Sequence, residues 1–314
     1  MILAAALVAG SAVNAASFSS NDLPAGSNGY VHVNLDLMRT STLGQGIMEE
    51  SIGEAFEDIE SEFGFEFAQD IEAITVFGGE LPPDQGAVVI HGAIADDTRN
   101  QLLDAVEQRG GTVMTRDFAG MTYYEVGDID DDRDKIRVKK VGDHVEELEF
   151  ESDGRKVFFA FASQQSMFTQ NVEMIMTFLE TGGYLSGLKS TDPDAMLVLQ
   201  ADRAMLQGGL NTSVDLGHNN WDSSILSNVD SIAVVLADEN GAASVRAEVQ
   251  AKSPEIAESV RNIVEGLVAL KALDAADEPA LSELLRATHI ETSGATISFD
   301  LYLEESLIEQ LKDL

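Results

Sequence analysis

The chain reads as an α+β protein built from two tandem ferredoxin-like modules, each running β-α-β-β-α-β with an antiparallel sheet covered by helices. Two observations predict this. The first is a duplication. Residues 71–77 (IEAITVF), an apolar segment at 86–94 and a helix through Leu102, Leu103 and Val106 are echoed by residues 229–235 (VDSIAVV), a segment at 241–249 and a helix through Ile256, Val260, Ile263 and Val264. The second is a repeated change of hydrophobic period, from the two-residue alternation of a strand to the helical spacing of an amphipathic helix.

Each element follows from such patterning. Residues 30–36 alternate apolar and polar, as a half-buried strand does. Leu43, Ile47, Met48, Ile52, Phe56, Ile59 and Phe63 then fall at helical spacing opposite a run of acids. The first copy of the duplicated unit gives a strand, a hairpin and a strand. A helix over 97–108 closed by Gly110 and Gly111 and a strand over 121–126 complete the split βαβ order. In the second half, strands are expected at 195–201, 229–237, 243–249 and 296–303, with a long helix at 254–273 and partial helix within 203–227. Between the halves, residues 135–141, 145–151 and 156–162 read as a meander, followed by a helix over 164–180 ending at Gly182 and Gly183. The domain boundaries so defined are 29–190 and 191–314, divided at the turn signal Lys189-Ser190-Thr191-Asp192-Pro193.

Several strands are apolar on both sides. Val157, Phe159 and Phe161 stand against Phe158, Ala160 and Ala162, and Ile232, Val234 and Leu236 against Ala233, Val235 and Ala237. A ferredoxin-like sheet with one open face does not need this, so both faces are expected to be covered, by one module packing on the other or by the central helix. The same apolar faces could join two copies of the chain.

Composition bounds the function. The 314 residues carry 55 acids and 19 bases, a net charge of −36, with no cysteine. That charge repels nucleic-acid phosphates and anionic lipid headgroups, so nucleic acid is excluded as a partner. The absence of cysteine removes disulfides, thiolate metal sites and cysteine nucleophiles. At 44% hydrophobic residues the chain is too apolar for disorder, and the acids belong on the outside of a folded core. An acidic surface of this kind suits a marine or halophilic source.

Residues 1–15 hold an apolar run from Ile2 to Val8, then small residues with Val13 and Ala15 placed for cleavage. This is the pattern of a secretory signal peptide, although its basic start is missing. Residues 16–28 then form a small, polar tether. The apolar run is shorter than a bilayer span requires, and no membrane span is expected after cleavage.

Residues able to carry chemistry are few. Asp128, Asp130, Asp132 and Asp134 place carboxylates at alternate positions of a loop, as calcium requires. A solvated acidic hairpin tip has the same composition, and an EF-hand register started at Asp128 meets Arg133 and Lys139 where Gly and Glu belong. His218, Asn219, Asn220 and Trp221 combine one aromatic plate with hydrogen-bonding side chains, the mixture that recognises carbohydrate or peptide. A tryptophan anchoring an irregular loop reads the same way. His32 and His91 fall in strands that could be neighbours, either as a two-histidine site or as strand histidines on a polar face. No nucleophile elbow, S-x-x-K, P-loop or dinucleotide fingerprint is present.

The leader, the segment Asp70-Ile71-Glu72-Ala73-Ile74-Thr75-Val76-Phe77-Gly78, the strand Gly86-Ala87-Val88-Val89-Ile90-His91-Gly92 and the strand at 157–162 leading into a helix and Gly182-Gly183 together resemble uncharacterised secreted proteins of aquatic bacteria such as planctomycetes. The resemblance implies secretion and transfers no activity or site. The sequence therefore points to a secreted, non-catalytic binding or structural protein without a cofactor. The alternatives are a secreted hydrolase with acids assembled from distant segments, and a calcium-dependent adhesion or assembly protein.

Overall fold

The structure, a computed structural model, describes residues 27–48, 71–78, 86–92, 94, 96–108, 111–127, 135–141, 144–151, 156–162, 164–183, 195–206, 228–239, 241–274, 279–304 and 307. The described strands are β1 (Gly29–Asn34), β2 (Ala73–Gly78), β3 (Ala87–His91), β4 (Thr112–Phe118), β5 (Met121–Gly127), β6 (Lys135–Val141), β7 (His144–Glu151), β8 (Val157–Ala162), β9 (Gln165–Thr169), β10 (Ala195–Asp202), β11 (Val229–Glu239), β12 (Ala242–Ala251), β13 (His289–Ser293) and β14 (Thr296–Leu303). The described helices are α1 (Leu35–Thr40), α2 (Thr42–Ile47), α3 (Asp96–Gln108), α4 (Val172–Thr181), α5 (Pro254–Asp274) and α6 (Pro279–Ala287).

The chain is an α+β protein organised around one antiparallel sheet of twelve strands, ordered β13-β14-β12-β11-β10-β1-β2-β3-β9-β8-β5-β4, with β6 and β7 forming a separate hairpin. The strand order departs from the split βαβ expectation. β1, β2 and β3 are consecutive neighbours, as are β10, β11 and β12, so each half opens with a meander. In each half the third strand is followed by a helix, α3 or α5, and a hairpin then returns a strand to the third strand's free edge. β9 pairs with β3, and β14 pairs with β12. Both return hairpins turn tightly, closing on Ala162 opposite Gln165 and on Ser293 opposite Thr296.

The halves meet edge to edge. β1 pairs with β10 along Gly29–Ala201, Tyr30–Gln200, Val31–Leu199, His32–Val198 and Val33–Leu197, so the sheet runs straight through the expected boundary near residue 190. Modules stacked face on face are therefore not what covers the apolar strands; helices do so instead. One face carries α4, whose Met174, Ile175, Phe178 and Leu179 are buried with Tyr30, Phe77, Val89 and Met167. The other face carries α1 and α2 over Ile90 and Met196, α3 over Val126 and Phe159, and α5 over Val249 and Ile297.

Local chemistry sets the element ends. Asn34 closes β1 and starts α1 by accepting the Leu37 N–H through Oδ1 at 3.1 Å, an N-cap. Ser41 does the same for α2, its Oγ accepting from the Gly44 N–H at 2.8 Å. α4 ends at Gly182, which adopts φ 73°, the left-handed conformation that glycine favours.

The expected helix over 164–180 begins later than the pattern suggests. Gln165–Thr169 is β9, because alternation buries Met167 and Thr169 on one side while Ser166 faces the other, and the helix starts only after the Asn171 cap. The expected three-strand meander is likewise divided, since β8 joins the main sheet between β5 and β9 and leaves β6 and β7 as a pair. β4, β13 and α6 have no counterpart in the expected order. The helix expected over 43–63 is described only as far as Met48.

Candidate functional site

The sheet brings four polar side chains together on the face that carries α4. His32 in β1 lies opposite Thr75 in β2, and His91 in β3 lies opposite Gln165 in β9. His32, Thr75 and His91 are buried, at 6%, 0% and 8% exposure. Thr75 Oγ1 stands 2.8 Å from His32 Nδ1 and 2.8 Å from His91 Nε2, while Gln165 Nε2 stands 3.3 Å from His91 Nδ1. The two imidazoles meet edge to face with centroids 5.4 Å apart.

The orientation of the Gln165 amide sets the direction of the protons. A threonine hydroxyl has a single hydrogen to give, and a neutral imidazole donates from one nitrogen and accepts at the other. The Gln165 amide donates to His91 Nδ1, so His91 Nε2 carries the proton and donates to Thr75 Oγ1. Thr75 then donates to His32 Nδ1. The tautomers and the amide orientation are assigned from this network. Gly183 makes room for it. A Cβ there would stand 2.3 Å from Gln165 Oε1, at a backbone φ of +125° that side-chain-bearing residues rarely adopt.

A second buried titratable group lies further along the same face. Glu125 of β5 keeps 8% of its side-chain surface exposed and bridges Lys156 Nζ at 2.5 Å and Arg116 at 3.0 Å. The hydrogen bond from Lys156 holds its carboxyl below the ordinary carboxylate value; burial works against this, and Arg116 reinforces it. A carboxylate so neutralised is poorly placed to act as a general acid near neutral pH.

His32 and His91 come together although β1 and β3 are not neighbouring strands: β2 lies between them, its Thr75 bridges the two rings, and both rings are buried and not on a polar face. No spacing motif signals it, since the residues lie on three strands and meet only through register. Asp128, Asp130, Asp132 and Asp134 lie outside the described residues, as do His218, Asn219, Asn220 and Trp221. Among the described residues no group of three or more histidine, aspartate or glutamate side chains is placed to hold a metal ion. No described helix is long and apolar enough to cross a membrane.

The fold and these clusters define an α+β protein with one extended antiparallel sheet and buried polar ties between its strands. No protein-family model matches the chain, and no curated protein sequence matches it. Among solved structures it is similar to TP0453. Crystal form IV of that protein gives a TM-score of 0.47 at 11% identity over 91% of this chain and 93% of that one. Crystal form III gives 0.45 at 10% identity over 92% and 95%.

Proposed function

We propose that this chain is a secreted, non-catalytic binding or structural protein whose two halves are copies of one scaffold. The observation that carries the non-catalytic reading is the use made of the buried titratable groups. His32 and His91 spend ring nitrogens on Thr75 and Gln165, and Glu125 is held between Lys156 and Arg116. These contacts tie strand to strand within the sheet.

Duplication is supported by register. The β1–β10 pairing is symmetric about Val31 and Leu199. Asn34 and Asp202, at the ends of these strands, both accept an N–H three residues on, from Leu37 and Met205. Secretion is supported by the apolar leader from Ile2 to Val8 and the small residues at Val13 and Ala15.

Activity screening tests the central part of this reading. Purified protein presented with chromogenic phosphate monoester, ester, glycoside and peptide substrates should give rates equal to the buffer blank. Turnover that His91→Gln abolishes and Glu125→Gln retains would overturn the reading in favour of a hydrolase.

A further inference from the structure

The two halves can be compared position by position, by following paired residues outward from Val31 and Leu199. Val76 and Val234 come first, then Val88 and Ala247, then Phe168 and Phe299. On the side of the sheet that α4 covers, the first half places Ala87 and Val89 in β3, Met167 and Thr169 in β9, and Phe158 and Ala160 in β8. Each of the six is exposed by 9% or less. The same steps through the second half reach Arg246 and Glu248 in β12, Ser298 and Asp300 in β14, and His289 and Glu291 in β13. A sealed apolar patch in one half is matched by charged and polar residues in the other.

The seal is missing from the sequence as well. Counted from Thr169 and from Asp300, the α4 positions Met174, Ile175, Phe178 and Leu179 fall on Glu305, Ser306, Glu309 and Gln310. Helix α5 packs on the other side of these strands, against Val249, Ile297 and Phe299. The polar side meets solvent. The side chains of His289 and Glu291 are 65% and 71% exposed, Asp300 is exposed, and Tyr302, on the same side by alternation, is 51% exposed.

The chemistry of this side is that of an acceptor surface. Glu248, Ser298 and Glu291 form one row across β12, β14 and β13, and Arg246, Asp300 and His289 form the next. Glu239 of β11 joins them, 3.9 Å from Arg246, so four carboxylates share the side with one guanidinium. His289 Nε2 stands 2.8 Å from Glu291 Oε1. Strand spacing sets the Glu248 and Glu291 backbones about 10 Å apart, with the Ser298 hydroxyl between them. An ammonium or guanidinium, which only donates, matches a row of carboxylates, which only accept.

We propose that this open side of the second half docks a lysine- or arginine-rich segment of a partner protein, laid across β12, β14 and β13, with Tyr302 receiving one cationic group on its ring face. Charge selects the occupant. The chain's −36 draws a basic segment in from a distance, and the local excess of carboxylates fixes where it rests. The proposal rests on the binding reading above and gives it a surface and a partner class.

Fluorescence anisotropy of fluorescein-labelled nona-arginine, with the full chain at about 0.15 M salt, tests it. Glu248→Gln/Glu291→Gln/Asp300→Asn should weaken binding at least about 10-fold. Asp104→Asn/Glu107→Gln/Glu180→Gln removes the same charge from exposed positions of α3 and α4 and should weaken it less than about 2-fold. Tyr302→Leu should weaken it about 2- to 5-fold. If the first triple variant does not fold, Asp300→Asn alone, at an exposed position, should cost about 2- to 5-fold. Equal losses in the two triple variants, or no binding by the wild type, would overturn the proposal. So would displacement of the peptide by millimolar calcium but not by sodium of equal ionic strength, since the site would then be a metal site. None of these outcomes bears on the activity screen, whose failure would show as substrate turnover with peptide affinity unchanged.

Discussion

Val31 of β1 lies directly opposite Leu199 of β10, and the pairs on either side of them exchange with one another. Through this junction the seven strands of the first half and the five of the second become one sheet of twelve. The junction is built from backbone pairing, with the apolar Val31, Val33, Leu197, Val198 and Leu199 beside the buried polar His32 and Gln200, and its strength depends on register.

A proline at Leu199 tests the junction directly. Proline removes a backbone donor from the middle of a sheet and is tolerated only at edges or bulges. Leu199→Pro should cost at least about 3 kcal/mol in chemical denaturation, and Leu199→Val, which keeps the strand pattern, less than about 1.5 kcal/mol.

Gly44 should tolerate no side chain. A Cβ there would stand 2.3 Å from the Met38 Cα and 2.5 Å from its carbonyl oxygen, both backbone atoms that cannot move aside. Gly44→Ala should separate α1 from α2 and cost roughly 1–3 kcal/mol, although alanine is the better helix former. Thermal unfolding read by circular dichroism checks this.

Glu125 gives a pH signature of its own. Its folded carboxyl titrates below the ordinary value of 4.5, so the stability it contributes is fully present above that pH and is lost as pH falls through the lower folded value. Glu125→Gln should cost roughly 1–3 kcal/mol at neutral pH, since charged hydrogen bonds from Lys156 and Arg116 are lost. The difference from wild type should shrink as the pH is taken below 4.5 in denaturant titrations.

The outer side of α5 should be indifferent to polarity. Ile263, Leu267 and Leu270 are 46%, 40% and 61% exposed, whereas Ala257 of the same helix is fully buried. Replacing all three with glutamine should change stability by less than about 1.5 kcal/mol, summing small surface effects, and light scattering should show no loss of solubility.

The elements legible in the sequence were those with strong local periodicity. The alternation in β1, the apolar runs of β10 and β11 and the helical spacing of α3 and α5 all appear at the expected places. Of the two similar segments 71–77 and 229–235, Val76 lies opposite Val31 and Val234 opposite Leu199. Strand order was not legible. A helical segment after β1 suggested a crossover, yet Leu35 and Asp36 bond back to the carbonyl of Glu72, and the chain returns beside β1. Strand β4 (TVMTRDF) lacks an apolar face, and β13 (HIETS) is short and polar, as exposed edge strands are, so neither carries a periodic signal.

The histidine cluster was half legible. His32 and His91 stood in strands, but their meeting depends on Thr75 in a third strand and on Gln165 in a segment that read as helix. Register is a tertiary property, and no spacing in one strand encodes it. Glu125 was not singled out, because one acid among 55 becomes distinctive only when Lys156 and Arg116 close on it.

The central claim is that both halves form one cooperative body through the β1–β10 junction, and native-state hydrogen exchange tests it most directly. With increasing denaturant, amides of β2 and β11, which flank the junction on opposite sides, should merge into one unfolding isotherm with the same slope and free energy. Separate isotherms, with one half open while the other stays protected, would contradict it.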